Sequence, residues 1–333
     1  MIQLLITGGC GFIGSNFINE IFSSSKYKIV NFDAMYYCAN EKNILPEIRN
    51  SPDYCFIKGN LCDYAFLKYV VESNQITHVI HFAAQSHVQN SFDDSMQFTH
   101  DNILGTHTLL EVCRKYGKIE RFIHVSTDEV YGESMLATDE LQKTENSVLC
   151  PTNPYAATKA GAELLAQAYY HSFKMPIIIT RGNNVYGPNQ YPEKLIPKFI
   201  LYLKAGRKVP IQGDGSNVRG FLHASDTARA FSCILERGEV GEIYNIGCDD
   251  HQEYTVLEIA QMLIQKIHPK DKCDQWIEYV DDRPFNDKRY YISNKKVKDL
   301  GWEIQMEFEK GIQELVETYS PEWMEKIDCL GKL

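Results

Sequence analysis

The sequence predicts an α/β protein with a Rossmann-type doubly wound parallel sheet and a smaller C-terminal α/β domain. Short apolar segments alternate with segments of helical spacing throughout the first half of the chain, which is the order of strands and helices that builds a parallel sheet. The first apolar segment leads directly into a glycine-rich turn. Residues 78–82 form an apolar run, as expected of a strand that helices cover on both faces.

Each predicted element follows from its own local pattern. Apolar runs predict strands, and apolar positions with helical spacing predict helices, such as Phe17, Ile18, Ile21 and Phe22 on one side of the first helix. In chain order, the predicted strands are 3–7, 28–32, 54–58, 78–82, 121–126 and 177–180. The predicted helices are 14–24, 65–73, 102–116, 155–173 and, in the second half, 255–267.

Composition argues against several classes of function. The formal net charge of -10 disfavours a nucleic-acid partner, because duplex-binding surfaces usually carry a basic excess. No apolar run approaches the roughly 18 residues that span a bilayer, so we expect no membrane partner. The ten cysteines are scattered without a C-x-x-C pair, which disfavours both a metal site and a disulfide framework. We therefore expect a reduced, cytoplasmic protein.

Three glycines, Gly8, Gly11 and Gly14, stand three residues apart between the first strand and the first helix. Glycine permits the tight turn, and it lets the backbone and the helix N-terminus approach a pyrophosphate closely. The turn therefore predicts a dinucleotide site, which includes Phe12 and Ile13 between the second and third glycines.

Asp33 indicates which dinucleotide binds. It ends the second strand, 19 residues after Gly14, and a carboxylate at this place can accept hydrogen bonds from both hydroxyls of the adenosine ribose. The same charge would repel a 2′-phosphate. The sequence therefore favours NAD over NADP as the cofactor.

Tyr155 and Lys159 form a Y-x-x-x-K pair near the start of a predicted helix, and a spacing of four places both side chains on one face. A lysine ammonium beside a phenol stabilises the phenolate and lowers the tyrosine pKa from about 10 toward neutrality. Such a tyrosine can deprotonate a substrate hydroxyl while a hydride leaves the same carbon. Ser126 and Thr127, at the end of the fifth strand, strengthen the prediction of a catalytic pair.

Together these motifs resemble the extended short-chain dehydrogenase/reductase family, and the resemblance covers nearly the whole chain. It rests on the glycine turn, on residues 81–84 after the fourth strand, and on Tyr155 and Lys159. Residues 126–132, Ser-Thr-Asp-Glu-Val-Tyr-Gly, are similar to the signature of nucleotide-sugar 4,6-dehydratases, whereas epimerases of the family carry no acidic pair there. The resemblance also implies cofactor contacts at Asn60, Leu61, Ala83 and Ala84.

A 4,6-dehydratase needs the acidic pair because its reaction moves protons at two carbons besides C4. Oxidation at C4 of a glucosyl group acidifies the C5 proton, which a base removes while an acid protonates the departing C6 hydroxyl. The hydride then returns to C6. The resemblance implies that Tyr155 is the C4 base, Glu129 the C5 base and Asp128 the C6 acid, and that Thr127 hydrogen-bonds the C4 oxygen. In a closed pocket, adjacent carboxyls can have separated pKa values, so that one stays protonated.

The second half of the chain carries most of the substrate contacts that the resemblance implies. Guanidinium groups bind phosphate oxygens bidentately, and two arginines match diphosphate ligands of the family. An asparagine matches one that holds the sugar diphosphate, and a Glu-Lys-Leu stretch matches the lining of the nucleotide pocket. The expected substrate-binding residues are Ser86, His87, Asn184, Glu193, Lys194, Leu195, Arg219 and Arg283.

The character of the sequence changes after about Arg181, where prolines and glycines become frequent and the elements shorter. We therefore expect an NAD-binding Rossmann domain over residues 1–183, with returning segments near 219–247 and 284–294, and a mainly substrate-binding domain over 184–333. The second domain should close over the carboxyl edge of the sheet, where ligands bind in open α/β sheets.

Departures from the bacterial dTDP-glucose dehydratase pattern bear on the choice of nucleotide. Gln85 stands where those enzymes have glutamate, Asn60 where they have an acid near the adenine amino group, and Asn286 where they have histidine. Three stretches are more similar to the dehydratase domain of plant rhamnose synthases, which uses UDP-glucose: 37–40, 81–88 and 283–290. The sequence thus favours UDP-glucose, with dTDP-glucose as the alternative. We expect the chain to stop at the 4-keto-6-deoxy sugar, a step toward rhamnose or other deoxysugars.

Two other functions stay open at this point. An NAD-dependent nucleotide-sugar epimerase or decarboxylase of the same fold would use Tyr155 and Lys159 but not the acidic pair. A non-catalytic NAD-binding regulator would have no need of the intact Y-x-x-x-K pair. Relatives commonly form homodimers through helices that match 102–116 and 155–173, so the resemblance also implies a homodimer.

Overall fold

The computed structural model describes residues 1–134, 141–282, 285–320 and 323. Within these ranges the chain forms a seven-stranded sheet and two smaller sheets of three and two strands. The strands are β1 (Ile2–Thr7), β2 (Tyr27–Asp33), β3 (Tyr54–Lys58), β4 (His78–His81), β5 (Arg121–Thr127), β6 (Ile177–Gly182), β7 (Asn184–Tyr186), β8 (Val209–Gln212), β9 (Val218–His223), β10 (Ile243–Ile246), β11 (Glu253–Thr255) and β12 (Ile277–Val280). The helices are α1 (Phe12–Ile21), α2 (Pro46–Arg49), α3 (Tyr64–Ser73), α4 (Val88–Asp93), α5 (Ser95–Phe98), α6 (Gly105–Tyr116), α7 (Pro154–Phe173), α8 (Leu195–Lys204), α9 (Ala224–Arg237), α10 (Val256–Ile267), α11 (Lys295–Asp299) and α12 (Phe308–Thr318).

Neighbouring strands of the large sheet all run parallel, in the order β10-β6-β5-β4-β1-β2-β3. The chain winds outward from β1 in both directions, which places helices on both faces of the sheet. The predicted fold class is therefore confirmed. The strand order reverses between β1 and β4, and the carboxyl ends of strands at such a switch point form the crevice where ligands bind.

Separate apolar cores cover the two faces of this sheet, because alternate strand residues point to opposite sides. Leu4 and Ile6 of β1 belong to the core that α1 and α9 cover. Leu5, between them, belongs to the core of the opposite face, beneath α3, α6 and α7. A third core lies among α8, α10 and α12 and includes Phe199 and Ile264. The second half of the chain thus has an apolar core of its own.

Side chains cap the starts of several helices, among them α7 and α10. α7 begins at Pro154, one residue earlier than predicted, because the side chain of Asn153 caps it and proline is favoured in the first turn. α10 begins at Val256 because Thr255 and Glu258 form a capping box. Apolar spacing locates the body of each helix, and the capping residues fix its first turn.

The predicted helices 14–24 and 102–116 each consist of two segments. The first is α1 followed by a 3-10 turn, Phe22–Ser24. The second is a π-helical segment, Thr99–Leu104, that continues directly into α6. The helical type was predicted correctly for both, but helix ends depend on local hydrogen bonds that apolar spacing does not show.

The second half of the chain contributes to both the large sheet and the small ones. β10 lies beside β6 at the edge of the large sheet, and α9 packs against α1. In contrast β9, at the start of the expected returning segment 219–247, pairs with β7 and β11 in the three-stranded sheet. Isolated bridges join Arg289 to Val218 and Ile292 to Lys143. The segment around residues 289–292 therefore contacts both halves of the chain.

None of the helices in the described ranges is long and apolar enough to cross a membrane. The same ranges contain no group of three or more His, Cys, Asp or Glu side chains placed to hold a metal ion. The nine cysteines that they include are free thiols.

Candidate active site

The glycine turn connects β1 to α1 at the switch point of the sheet. Gly8 has a φ of +72°, and a Cβ there would lie 2.6 Å from the backbone nitrogen of Ala83. A Cβ on Gly14 would lie 2.5 Å from the carbonyl oxygen of Gly8. Gly11 is the N-cap of α1, and no side chain caps that helix end. The amides of Phe12 and Ile13 therefore lie at a helix N-terminus suited to an anion.

Asp33 lies at the end of β2 and supports the same turn. Its Oδ2 accepts a hydrogen bond of 2.9 Å from the Cys10 amide, and its Oδ1 accepts one of 2.8 Å from the Met35 amide. Burial raises the pKa of this carboxyl, whereas the two backbone hydrogen bonds favour its charged form. The structure thus places a carboxylate beside the glycine turn, which fits the ribose hydroxyls of a dinucleotide.

The other residues expected to bind the cofactor follow β3 and β4. The Asn60 side chain accepts a hydrogen bond of 2.8 Å from the Cys62 amide and donates one of 3.2 Å to the Tyr36 hydroxyl. Leu61 is buried in the core that α3, α6 and α7 cover. Ala83 and Ala84 follow β4, and the backbone of Ala83 packs against Gly8. These residues therefore lie at the same sheet edge as the glycine turn.

The acidic pair follows β5, in a 3-10 turn that spans Asp128–Tyr131. The Thr127 hydroxyl donates to Asp128 Oδ1 over 3.2 Å and accepts from the Glu129 amide over 3.3 Å. Only 2% of Asp128 and 8% of Glu129 is exposed. These values exclude a solvated loop pair and place two carboxyl groups in a water-poor environment.

Asp128 has the environment of a protonated acid. Burial and the neighbouring charge of Glu129 raise its pKa to about 7. The Asn183 side-chain amide donates to Asp128 Oδ2 over 2.6 Å and, together with Thr127 and Arg219, limits this rise in pKa. At neutral pH, a large fraction of Asp128 can therefore hold a proton.

Glu129 has partners of its own. Burial and the charge of Asp287 raise its pKa, and this rise is opposed by the Asn153 side-chain amide and by the positive charges of Arg219 and Lys194. Asn153 Nδ2 donates to Glu129 Oε2 over 2.9 Å. The Tyr290 hydroxyl oxygen lies 3.4 Å from the same oxygen. Adjacent carboxyls thus have different partners, as acid and base roles require.

Tyr155 and Lys159 lie near the start of α7, and both side chains are buried. The expected lowering of the tyrosine pKa is wrong for this structure. Burial and the charges of Glu129 and Asp128 raise the pKa of Tyr155 far above its ordinary value. Lys159 does not oppose this rise, because its ammonium donates to the Val125 carbonyl oxygen over 2.6 Å. Burial in turn lowers the pKa of Lys159 to about 8.

Four of the expected substrate residues meet although they are distant in sequence. Lys194 Nζ donates to the Ser86 carbonyl oxygen over 2.8 Å, and His87 Nδ1 lies 3.7 Å from Glu193 Oε2. The Tyr37 hydroxyl donates to the same glutamate oxygen over 2.7 Å. Leu195, the last residue of the Glu-Lys-Leu stretch, begins α8.

Arg219 and Asn184 lie in neighbouring strands, β9 and β7, of the small sheet. The Arg219 guanidinium donates to the carbonyl oxygens of Val218 and Lys288 over 2.8 and 3.2 Å, and to Asn286 Oδ1 over 3.2 Å. Its charge acts on both carboxyls of the acidic pair. The remaining expected diphosphate ligand, Arg283, lies outside the described residues.

A family model described as GDP-mannose 4,6 dehydratase matches residues 5–315. The chain belongs to the GDP-mannose 4,6 dehydratase family. The resemblance to nucleotide-sugar 4,6-dehydratases that the sequence indicates is thereby confirmed.

Several curated and solved relatives of this family member have names that describe 4,6-dehydratases. It is 50% identical over 327 residues to a trifunctional UDP-glucose 4,6-dehydratase/UDP-4-keto-6-deoxy-D-glucose 3,5-epimerase/UDP-4-keto-L-rhamnose-reductase of Arabidopsis thaliana, covering 96% of this chain and 48% of that protein. The chain thus spans about half the length of the Arabidopsis relative. It is 44% identical over 321 residues to human dTDP-D-glucose 4,6-dehydratase, covering 95% of this chain and 89% of that protein. A dTDP-glucose 4,6-dehydratase of Bacillus anthracis, solved in complex with NAD, has a TM-score of 0.86 and 40% identity, covering 98% of this chain and 97% of that one.

Sequence reasoning gave no role to several residues that contact the acidic pair of this family member. Asn153 precedes a proline at a helix start, a local signal that identifies a cap but not a partner of Glu129. Asn183 directly precedes the expected ligand Asn184, yet its side chain contacts Asp128. Tyr290 lies in the stretch 283–290, whose sequence similarity to relatives assigns it no role. Only the folded chain brings it to the site.

Proposed function

We propose that this chain is an NAD-dependent nucleotide-sugar 4,6-dehydratase, a hydro-lyase that converts UDP-glucose, or dTDP-glucose, to the 4-keto-6-deoxy-glucose nucleotide. The main support is the buried acidic pair, Asp128 and Glu129, beside Tyr155 at the carboxyl end of β5. Buried carboxyls are costly unless they are paired or hydrogen-bonded, and loss of water across C5 and C6 is a reaction that uses both. The dehydratase names of the relatives agree with this proposal.

The glycine turn and Asp33 support NAD as the resident cofactor. Only glycine fits at Gly8 and Gly14, and the uncapped start of α1 suits a pyrophosphate. When bound, NAD supplies the acceptor for the hydride of C4 and then the donor of a hydride to C6. The residues proposed to hold it are Gly8, Gly11, Phe12, Ile13, Gly14, Asp33, Asn60, Leu61, Ala83, Ala84, Tyr155 and Lys159.

We propose that Tyr155 is the base that removes the proton of the C4 hydroxyl. Thr127 is proposed to form a hydrogen bond with the same C4 oxygen. Tyr155 must lose its proton to act as a base, although burial and two carboxyls oppose this. Lys159 is the cation that can assist this loss of the proton, because it lies one helical turn from Tyr155 on the same helix face. Its ammonium must then leave the Val125 oxygen and approach the phenol. We propose that Lys159 also holds a hydroxyl of the nicotinamide ribose.

We propose that the acidic pair, Asp128 and Glu129, catalyses the elimination of water. Glu129, whose carboxylate Asn153 stabilises, removes the C5 proton once the C4 ketone has acidified it. Asp128, with a pKa raised to about 7, delivers its proton to the C6 hydroxyl, which leaves as water. The two roles need a protonated Asp128 and an ionised Glu129, and the different partners of the two carboxyls can separate their pKa values in this way.

The nucleotide diphosphate is proposed to bind where the second half of the chain meets the carboxyl edge. Arg219 supplies a guanidinium for phosphate oxygens, and its charge also acts on the acidic pair. The contacts between Lys194 and Ser86 and between Glu193 and His87 join the two halves beside this region. The proposed substrate residues are Ser86, His87, Asn184, Glu193, Lys194, Leu195, Arg219 and Arg283. This division of roles supports a cofactor domain over 1–183 and a mainly substrate-binding domain over 184–333.

UDP-glucose is the favoured substrate. The Arabidopsis relatives with UDP-glucose names are 48–50% identical, whereas the mammalian relatives with dTDP-glucose names are 44–45% identical. The test is product analysis after incubation with UDP-glucose and dTDP-glucose in parallel. Formation of a 4-keto-6-deoxy sugar nucleotide, fastest from UDP-glucose, is expected. Exclusive formation of the galactose isomer would favour an epimerase that leaves Asp128 and Glu129 unused.

We propose that the chain forms a homodimer and that the outer face of α7 is part of the interface. This face carries the exposed small residues Ala157 and Ala168 and, between them, Leu164, which is 55% exposed. Leu104, at the end of the π-helical segment, is 47% exposed. Small residues let a helix of a second copy approach closely, and the leucines supply apolar area for its contact.

A further inference from the structure

The proposed mechanism leaves unused a buried hydrogen-bond chain behind Glu129. The Tyr290 hydroxyl oxygen lies 3.4 Å from Glu129 Oε2 and within hydrogen-bond distance of Asp287 Oδ2, so its single proton can be donated to either carboxyl group. Both Tyr290 and Asp287 are buried. A phenol hydroxyl therefore lies between the proposed C5 base and a second carboxylate, which is an arrangement that can pass a proton in either direction.

The outer end of this chain leads toward the surface. The Thr152 hydroxyl oxygen lies 2.8 and 2.9 Å from the two carboxyl oxygens of Asp287 and donates its proton to this group. Thr152 is half-buried, and Lys288, the next residue after Asp287, is exposed. The carboxyl group of Asp287 thus lies between the closed site and the solvent boundary.

The surrounding residues hold Tyr290 and Asp287 in place. The Arg219 guanidinium lies 4.9 Å from the centre of the Tyr290 ring, a cation–π contact that fixes the ring. Asn217 Nδ2 donates to the Asp287 carbonyl oxygen over 3.0 Å. The ring therefore has a contact that does not involve the hydroxyl and that a phenylalanine at this position would keep.

We propose that Tyr290 and Asp287 form the route by which Glu129 exchanges its proton with solvent during turnover. This inference rests on the dehydratase function proposed above. The proton that Glu129 takes from C5 passes from Oε2 to the Tyr290 oxygen, while the proton of Tyr290 passes to Asp287. Asp287 then releases it outward, and the reverse steps return a solvent proton to Glu129. Only O–H bonds break and form, and no electrons are transferred.

The proposal assigns Tyr290 and Asp287 a supporting role, because they act through Glu129 and not on the sugar. Glu129 must give a proton back to C5 when the hydride reaches C6. A working exchange route makes that proton a solvent proton. A blocked route makes it the original C5 proton. The isotope at C5 of the product therefore reports on the route separately from the rate.

The test uses the full chain with its bound cofactor, UDP-glucose and deuterated water, with the product reduced by borohydride immediately to stop later exchange. Tyr290→Phe removes the hydroxyl and keeps the ring contact with Arg219. Asp287→Asn keeps the shape of the side chain and removes its ability to take a proton. Tyr291→Phe is the matched control, because its hydroxyl lies 3.2 Å from Asp250 and outside this chain of hydrogen bonds.

Wild type and Tyr291→Phe are expected to give product with deuterium at C5. Tyr290→Phe and Asp287→Asn are expected to retain mostly protium there, while reduced nicotinamide still forms at the wild-type rate. Wild-type deuterium content in both variants would overturn the relay, as would protium at C5 of the wild-type product. Loss of the first oxidation in both variants would show a structural role instead. A wild-type chain that makes no 4-keto-6-deoxy product would overturn the proposed function itself.

Discussion

Asn153 links the proposed base to the helix that carries the proposed catalytic tyrosine. Its Oδ1 accepts a hydrogen bond of 2.9 Å from the Ala156 amide and so caps α7, while its Nδ2 donates to Glu129 Oε2 over 2.9 Å. Tyr155 is in the first turn of the same helix. One side chain therefore connects Glu129 to the first turn of the helix that carries Tyr155.

Two substitutions at Asn153 should separate its cap from its contact with Glu129. Asn153→Ala removes both and should cost about 1 kcal/mol of stability as well as turnover. Asn153→Ser keeps a good N-cap but is too short to reach Glu129, so stability should stay near wild type while turnover falls. Urea unfolding and steady-state kinetics provide the measurement. Wild-type turnover in Asn153→Ser would show that the contact with Glu129 has no role in catalysis.

Tyr155→Phe should abolish the first oxidation. Removing the hydroxyl leaves no group to take the C4 proton, and general base catalysis of this kind contributes at least about 100-fold. The absorbance of reduced nicotinamide after mixing with UDP-glucose gives the measurement. Tyr170→Phe, on the same helix with its hydroxyl near Gly241, is the control and should behave as wild type. A normal signal in Tyr155→Phe would mean that another group acts as the C4 base.

Gly14→Ala should weaken retention of the cofactor. The added Cβ would lie 2.5 Å from the Gly8 carbonyl oxygen, and this backbone contact cannot relax without opening the turn. Gly105→Ala is the matched control, because its Cβ would make only an ordinary contact, 3.4 Å from Leu61. The amount of NAD that remains bound after gel filtration checks the prediction. Equal retention of NAD by both variants would show that the glycine turn does not bind the cofactor.

The sequence alone predicts the sheet and the position of the acidic pair, because both depend on local patterns. The predicted strand 54–58 is β3 at both ends, and Asp128 directly follows β5 as a motif at a strand end should. Contacts between distant segments could not be predicted in this way. Tyr290 is 161 positions from Glu129 in the sequence. No local sequence pattern indicates that the two residues meet in the folded chain.

The Tyr155–Lys159 pair marks another limit of sequence reasoning. A spacing of four correctly places both residues on one helix face, but it does not say which partner the ammonium takes. In the folded chain the Val125 carbonyl oxygen is that partner. The direction of the tyrosine pKa shift therefore depends on burial and on nearby carboxyls, which only the three-dimensional arrangement determines.

Leu164→Glu should dissociate the proposed homodimer. Leu164 is the most exposed large apolar residue of the outer face of α7, and a charge there would be buried without a partner in a dimer. Sedimentation velocity should show a shift from dimer to monomer. Phe173→Glu changes another exposed residue, at the end of the same helix, and should have a smaller effect. A wild-type chain that sediments as a monomer would contradict the proposed dimer.

Asp128→Asn should lose elimination and gain stability at high pH. Burial and Glu129 raise the pKa of Asp128 from 3.8 to about 7 in the folded chain. At pH 4 the carboxyl is protonated in the folded chain and still about half protonated in the unfolded chain, so wild type and variant should differ little in stability. Between these two pKa values the unfolded chain loses the proton while the folded chain keeps it, so wild-type stability falls as pH rises toward 7. The asparagine variant has no such loss.

At pH 8 the Asp128→Asn variant should therefore exceed wild type by on the order of 1–4 kcal/mol, since one pKa unit corresponds to about 1.4 kcal/mol. Urea unfolding of both proteins at pH 4 and pH 8 measures this difference. With UDP-glucose the variant should form reduced nicotinamide but retain it, because no acid protonates the C6 hydroxyl. A stability difference that is the same at both pH values would mean that the folded chain does not hold the proton on Asp128. It would also remove the reason for assigning the acid role to Asp128 and the base role to Glu129.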